Sequence, residues 1–345
     1  MNELRPKNES LARFYRPKTF EDIYGQDSII KILKRQLECN EFKNTYLFCG
    51  ASGCGKTTTA RAFAQLINNN VGSPIEIDAA SNNGVENVKN IVKSASERAV
   101  DSKYKIYIID ECHALTSQAW QAFLKCIEEP PTYTIFIFCT TDPQKIPATI
   151  LNRVMRFNFN KISSTMIANR LEEICKLENF FNYYDACDYI SKICNGQMRD
   201  GIALLDKCAS YCEDLTIENV FYALGDYSYD LYFSLINEII DGDTAKVLST
   251  LNTIYQEGSD LKLFVDKFLE FCVEVEKYII CRDCSITKIP TALEDTLKNS
   301  INFDNVDSYY MYIMNKLLDL KNNLKTDVNP FTTIQVVFIQ MCRCQ

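Results

Sequence analysis

The sequence predicts an α/β domain on a parallel five-stranded sheet, followed by a small helical module and a helical C-terminal module. Three observations predict it. Up to Phe157, strand-like apolar runs alternate with stretches of helical apolar spacing, the pattern of a parallel sheet covered by helices on both faces. From about Ser163 the strand signal fades and helical spacing alone continues. A glycine-rich turn stands between the first strand and the helix that follows it.

The elements follow in order. Candidate strands are Thr45–Cys49, Pro74–Asp78, Tyr104–Asp110, Thr134–Cys139 and Arg153–Phe157. Between them, Thr57–Asn68, Val85–Val100 and Ser117–Glu129 carry apolar residues three and four apart. Met166–Leu177, Tyr184–Cys194 and Asp200–Tyr211 form the small helical module. Gly225 and Asp226 mark a break. Tyr229–Ile240, Thr244–Gln256, Leu261–Ile280, Ala292–Asn299, Ser308–Leu324 and Phe331–Cys342 then read as helices. Gly258 suits a helix stop, Asp260 an N-cap, Pro290 a linker and Pro330 a first helical turn. The expected domains are 1–162, 163–225 and 226–345.

The bulk numbers fit this plan and narrow the function. The chain has 345 residues, room for two or three domains at roughly 150 residues each. Apolar residues make up 47% of it, so disorder is not expected. The longest apolar runs are strand-sized, far short of the ~20 residues of a membrane span, and Met1–Ser10 is polar with no apolar signal region. A soluble protein without membrane partners is expected. A net charge of −8 argues against a generally basic nucleic-acid binder but leaves room for one local DNA-holding face. The 16 cysteines are scattered on apolar faces and read as reduced core thiols. Cys281 and Cys284 have CxxC spacing, but a structural zinc site needs four ligands, and the pairs Cys208/Cys212 and Cys342/Cys344 lie far along the chain. With His113 the only histidine, a His-based metal site or Ser-His catalysis is not expected.

Residues 50–57 carry the strongest motif, Gly50-Ala51-Ser52-Gly53-Cys54-Gly55-Lys56-Thr57, followed by Thr58. This is GxxxxGK[ST], the P-loop, with a strand running into Gly50 and a helix leaving Thr57. Glycines let backbone N–H groups turn inward around phosphate oxygens, Lys56 adds charge for the β- and γ-phosphates, and Thr57 offers a hydroxyl to Mg²⁺. The run Ile106–Ile109 ends in Asp110-Glu111. At a strand's C-terminal edge, Asp110 suits the magnesium shell and Glu111 suits polarising an attacking water. Thr141, at the end of the neighbouring strand, suits sensing a γ-phosphate or orienting that water. ATP and Mg²⁺ are therefore the expected ligands.

Together these residues resemble the gamma/tau subunit family of the bacterial DNA polymerase III clamp loader, an AAA+ ATPase family. The resemblance runs in order through Arg16-Pro17-Lys18-Thr19-Phe20 and Gly25-Gln26, the cradle, Ile75–Val85, Asp110-Glu111, Leu124-Lys125 with Glu128–Pro131, Thr140–Lys145, Ile150–Arg153 and Gly196–Asp200. It is strong over about residues 10–215, and its most specific strings are Ala79–Val85, Glu128–Pro131 and Thr140–Lys145. It implies a P-loop AAA+ domain, a helical lid and an all-α C-terminal collar that oligomerises. It implies that Arg16 and Pro17 border the adenine, that Arg153 reaches into a neighbouring subunit's ATP site, and that Arg199 contacts the γ-phosphate in its own subunit. In related loaders the segment before the helix at Val85 faces DNA; Ser81, Asn82, Asn83 and Lys89, with Lys93, are the candidate DNA residues.

The function so implied is ATP-driven placement of a sliding clamp on primer–template DNA, in a ring with other loader subunits and the polymerase holoenzyme, in a bacterial cytoplasm or that of a phage's host. Two departures stand out. The family's Ser-Arg-Cys around the finger is Asn152-Arg153-Val154 here. Where the family carries a cysteine-rich zinc module, only Asn68–Ser73 connect Ile67 to Pro74, so no zinc is expected. The tau form's long tail has no counterpart in the sequence, and a short form is expected. Three rival readings are a helicase, since Asp110-Glu111-Cys112-His113 fits DExH, an ATP-binding scaffold, and another AAA+ ring-ATPase such as a recombination motor. A helicase needs a second core domain with its own motifs, which the helical C-terminal half does not offer, and intact Glu111 and Thr141 speak against a scaffold.

Overall fold

The structure, a computed structural model, describes residues 5–6, 8–301 and 306–343. Cys344 and part of the polar N-terminal segment lie outside the described residues. By its contacts the chain divides into two compact units, residues 1–174 with 194–206, and residues 175–193 with 207–345.

The first unit is built on five parallel strands: β1 (Thr45–Cys49), β2 (Ile75–Asp78), β3 (Lys105–Asp110), β4 (Thr134–Thr140) and β5 (Met155–Asn158), in the order β2-β3-β4-β1-β5. Its helices are α1 (Leu11–Phe14), α2 (Asp27–Cys39), α3 (Lys56–Ile67), α4 (Val85–Ala95), α5 (Ser117–Glu128) and α6 (Ala148–Leu151). The helices α7 (Ser164–Glu178), α8 (Tyr184–Ile193) and α9 (Met198–Tyr211) follow.

Strand periodicity of two sorts the core into two layers. Tyr46, Phe48, Ile106, Ile108, Ile135 and Ile137 point to one face and pack with Leu33 of α2 and Phe63 of α3. Leu47, Tyr107, Ile109, Phe136 and Phe138 point to the other and pack with Val88 of α4 and Phe123 of α5. Both faces being covered, the inner strands β1, β3 and β4 read as continuous apolar runs and not as alternation, while the edge strands β2 and β5 alternate. Phe123 touches Phe136 and Phe138 edge-on, and such a buried ring contributes about 1.5–3 kcal/mol by burial alone. The chain leaves β1 for the far edge strand β2 and later crosses from β4 to β5 on the other side of β1. The crevice at the C-terminal ends of β1 and β4 is thus the switch point where open parallel sheets bind ligands.

The second unit adds α10 (Ile217–Leu224), α11 (Tyr229–Ile240), α12 (Thr244–Gln256), α13 (Leu261–Cys281), α14 (Glu294–Ser300), α15 (Val306–Asn323) and α16 (Pro330–Arg343). Aromatic rings fill its centre: Tyr232 stacks on Phe271, and Phe268 lies against both Tyr232 and Phe338. The punctuation expected from sequence is in place. Gly225 (φ +75°) ends α10, Asp260 accepts from the backbone of Lys262 and Leu263 to cap α13, and Pro330 opens α16.

Two expected helices differ. α4 stops at Ala95 and not at Val100, because buried Ala95 is its last core contact and the exposed Ser-Glu-Arg run beyond buries nothing. The stretch expected as one helix from Ala292 is a 3-10 turn, Thr291–Leu293, running into α14.

Candidate nucleotide site

The cradle hangs from the end of β1. The Gly50 amide donates to the Thr140 carbonyl (3.2 Å), which ties the loop to β4. A Cβ on Gly50 would lie 2.5 Å from the Phe159 carbonyl oxygen, so only glycine fits. Gly55 (φ +99°) is the N-cap of α3 and offers no side chain to its N–H groups. Those donors are left for an anion, at the positive end of the helix dipole. Lys56 is buried, and its Nζ donates to the carbonyls of Gly50 (2.9 Å) and Ala51 (2.7 Å), so the ammonium sits inside the loop. Cys54 donates to the same Ala51 carbonyl, and burial pushes its thiol up, which keeps it neutral there.

Beside the cradle, polar groups from three elements join. Thr57 Oγ1 donates to Asp110 Oδ2 (2.8 Å). Asp110 Oδ1 accepts from the Glu111 amide (3.0 Å). Glu111 is left-handed (φ +47°, ψ +41°), a conformation uncommon for a non-glycine residue and frequent at functional sites. Its Oε2 accepts from Thr141 Oγ1 (3.1 Å) at the end of β4. Sequence reasoning picked these four residues separately, and the fold joins them through consecutive contacts. The Thr57 hydroxyl and Asp110 carboxylate are hard oxygen donors of the kind Mg²⁺ takes, with waters completing its shell. Among the described residues no three His, Cys, Asp or Glu side chains cluster as a metal-ligand set.

Cations border the cradle. Arg16 Nε donates to Thr58 Oγ1 (3.3 Å). Burial, then the neighbouring Arg61 and Arg199, lower its pKa, while Glu76 and Asp110 oppose that. Arg61 is paired with Glu76. Pro17 follows Arg16, half-buried. Arg199, exposed, is the second residue of α9, and the start of α9 is pinned to the cradle. The Met198 amide donates to the Gly53 carbonyl (3.1 Å), and the Gln197 side-chain amide, oriented to satisfy its neighbours, donates to the Ser52 carbonyl and Asp200 Oδ2, each 3.2 Å away. Gly53 (φ +66°) makes this approach possible, since a Cβ there would come 2.9 Å from that of Gln197.

Arg153 stands apart. It follows α6 and precedes β5, and its carbonyl accepts from Thr45 Oγ1 at the start of β1 (3.1 Å). Thr45 and Gly50 are separated by the length of β1, about 16 Å at ~3.3 Å per residue. The guanidinium is held by the Thr149 carbonyl (2.7 Å) and Glu128 (2.8 Å). The structure does not bring Arg153 to its own chain's cradle.

The candidate DNA residues line the entry to α4. Ser81 and Asn83 are exposed and Asn82 is half-buried. The N-cap of α4 is Gly84, with no side-chain bond to the helix. Asp78 has already drawn the Ser81 hydroxyl to its carboxylate (3.1 Å) and the Asn82 amide to its carbonyl (3.1 Å). The α4 N–H groups therefore stay open. Lys89 pairs with Glu86 (3.1 Å).

Two residues of this site carry roles that sequence reasoning did not assign. Gln26, buried, donates from its side chain to the Cys54 (3.2 Å) and Asn160 (2.8 Å) carbonyls and braces the cradle from behind. His113 Nδ1 lies 3.2 Å from Glu111 Oε2.

Comparison with known proteins agrees with this architecture. The family model for the DNA polymerase III delta subunit matches residues 72–163, and that for domain III of subunits gamma and tau matches residues 215–342. The DNA polymerase III subunit tau of Bacillus subtilis is 35% identical over 313 residues, 84% of this chain and 54% of that protein. Subunit gamma of Buchnera aphidicola is 31% identical over 283 residues, 76% of this chain and 78% of that protein. The chain spans about half the length of the Bacillus protein. Among solved structures, the Thermotoga maritima RuvB Holliday junction branch migration motor superposes with a TM-score of 0.52 at 17% identity, over 71% of this chain and 86% of that one. The fold is that of an AAA+ module. No helix among the described residues is long and apolar enough to cross a membrane.

Proposed function

Because this chain belongs to the gamma/tau family of DNA polymerase III subunits, we propose that it is an ATP-hydrolysing subunit of a sliding-clamp loader. The observation that carries the reading is the unbroken set of contacts from Thr57 through Asp110 and Glu111 to Thr141, beside a cradle that holds Lys56 inside it. Lys56 and the open N–H groups of α3 hold the β- and γ-phosphates. Thr57 and Asp110 hold Mg²⁺, which when bound neutralises phosphate charge. Glu111 polarises the attacking water, and Thr141 orients it or senses the γ-phosphate. Arg16 and Arg199 border the nucleotide, with Ala51, Ser52 and Thr58 in the wall and Pro17 on the adenine side.

Arg153, a strand's length from its own cradle, serves the site of a neighbouring subunit, where an arginine stabilises the transferring phosphoryl group. Residues 1–162 act as the ATPase domain, 163–225 as the lid and 226–345 as the collar that assembles the ring. Ser81, Asn82, Asn83 and Lys89, with the open start of α4, touch the phosphates of primer–template DNA without reading sequence. Each subunit contributes little, and the ring sums the contacts. The partners are a sliding clamp, other loader subunits and the polymerase holoenzyme, in a bacterial or host cytoplasm. In the assembled complex, clamp plus primed DNA should raise steady-state ATP turnover severalfold over either alone. Turnover indifferent to clamp and to primer ends would reduce the reading to a generic AAA+ ATPase.

A further inference from the structure

We propose that His113 is a positioning residue for Glu111, the donor that keeps the water-polarising carboxylate aimed once a γ-phosphate draws the Thr141 hydroxyl away. This rests on the proposed role of Glu111. His113 is the only histidine of the chain and sits in a single 3-10 turn, Cys112–Ala114, directly after the left-handed Glu111. Cys112, wholly buried, and Leu115 anchor the turn, and the Ala114 amide donates to the Glu111 carbonyl (2.9 Å). The backbone that carries the ring is therefore fixed beside the carboxylate it faces.

Its Nδ1 is 3.2 Å from Glu111 Oε2 and 3.2 Å from Thr140 Oγ1. A carboxylate only accepts, so the first contact is attractive only with a proton on Nδ1. The Thr140 oxygen already accepts from the Asp142 amide (3.0 Å), and its second lone pair suits the same Nδ1–H. The opposite arrangement, the Thr140 hydroxyl donating to a bare Nδ1, sets a lone pair against the carboxylate. Both neighbours are thus best served by the tautomer with its proton on Nδ1.

Thr141 and His113 both act on Oε2, which leaves Oε1 for a water. A hydroxyl has one proton. Thr141 cannot give it to Glu111 and to a phosphate oxygen together, whereas the His113 proton is shared only with Thr140 Oγ1, a neutral acceptor weaker than the carboxylate. The hold of His113 is accordingly felt during turnover and not during ATP binding.

The test uses the full chain in its active assembly, with ATP hydrolysis measured for His113→Asn and His113→Gln. Asparagine places an amide N–H near the position of Nδ1, and glutamine places it near that of Nε2. His113→Asn should keep kcat within about threefold of wild type, and His113→Gln should lose about tenfold in kcat at unchanged KM for ATP, a part of what a positioned base supplies. Equal kcat in the two variants, whether both normal or both low, or an effect on KM alone, overturns the proposal. Glu111→Gln measured in parallel separates the two readings. If it stays active, the role of Glu111 itself falls. If it is inactive while His113→Gln is normal, only the inference about His113 falls.

Discussion

The two ends of the sheet are furnished differently. At the C-terminal ends of β1, β3 and β4, polar side chains satisfy one another: Lys56 with the loop carbonyls, Thr57 with Asp110, Thr141 with Glu111. At the opposite end, before β5, Arg153 is an exposed cation held by Glu128 and a carbonyl, with its backbone fastened to the start of β1. One end is a cradle with Lys56 inside it and Arg16 at its border. The other is a cation lacking a pocket. The strand β1 keeps the two apart within one chain, which supports the proposal that Arg153 serves the site of a second chain.

Arg153→Ala tests this most severely. Turnover of the assembled complex should fall by about 10³-fold, the scale of a lost arginine finger, while ATP affinity of the isolated chain stays as it was. A drop in the isolated chain's affinity, read by titrating a fluorescent ATP analogue, would place Arg153 at its own site and break the comparison. Glu111→Gln should cost roughly 10²-fold or more in kcat, and mixing it with Arg153→Ala sharpens the point. Assemblies containing both variants should recover partial turnover wherever a wild-type site meets a neighbour's intact Arg153, and no recovery at any mixing ratio would deny the exchange. The smallest effect belongs to Thr45→Val, which removes the bond that fastens Arg153's backbone to β1. It should lower stability by about 1 kcal/mol in a thermal melt and reduce turnover of the assembly slightly, with nucleotide affinity of the single chain unmoved.

Much of this was legible in the sequence, and the reasons for the gaps are physical. The strand Thr45–Cys49 is identical in sequence and structure because a doubly covered strand is apolar throughout. The cradle, Asp110, Glu111 and Thr141 were legible because each sits at a strand end, where local pattern fixes position. Helix α2 was not, because its buried Ile29, Ile30 and Leu33 form a narrow stripe among Lys31, Lys34 and Arg35. Gln26 was not, because its partner Asn160 lies 134 residues further on and no local spacing announces such a bond. His113 looked idle because a lone histidine suggests neither a metal site nor a triad; its meaning comes from the turn that aims it at Glu111. That the start of α4 is left open was not legible, because it depends on Asp78 drawing the Ser81 and Asn82 side chains to itself.

The short link after α3 has its own consequence. The Asn68 side chain both donates to the Tyr104 carbonyl (2.8 Å) and accepts from the Tyr104 amide (2.9 Å), as a paired strand would. That clasp fastens the end of α3 to the entry of β3 by a contact that does not involve residues 69–73. The register of α3 against the sheet is thus set from outside the link, and the link itself is free to serve only as a tether to β2.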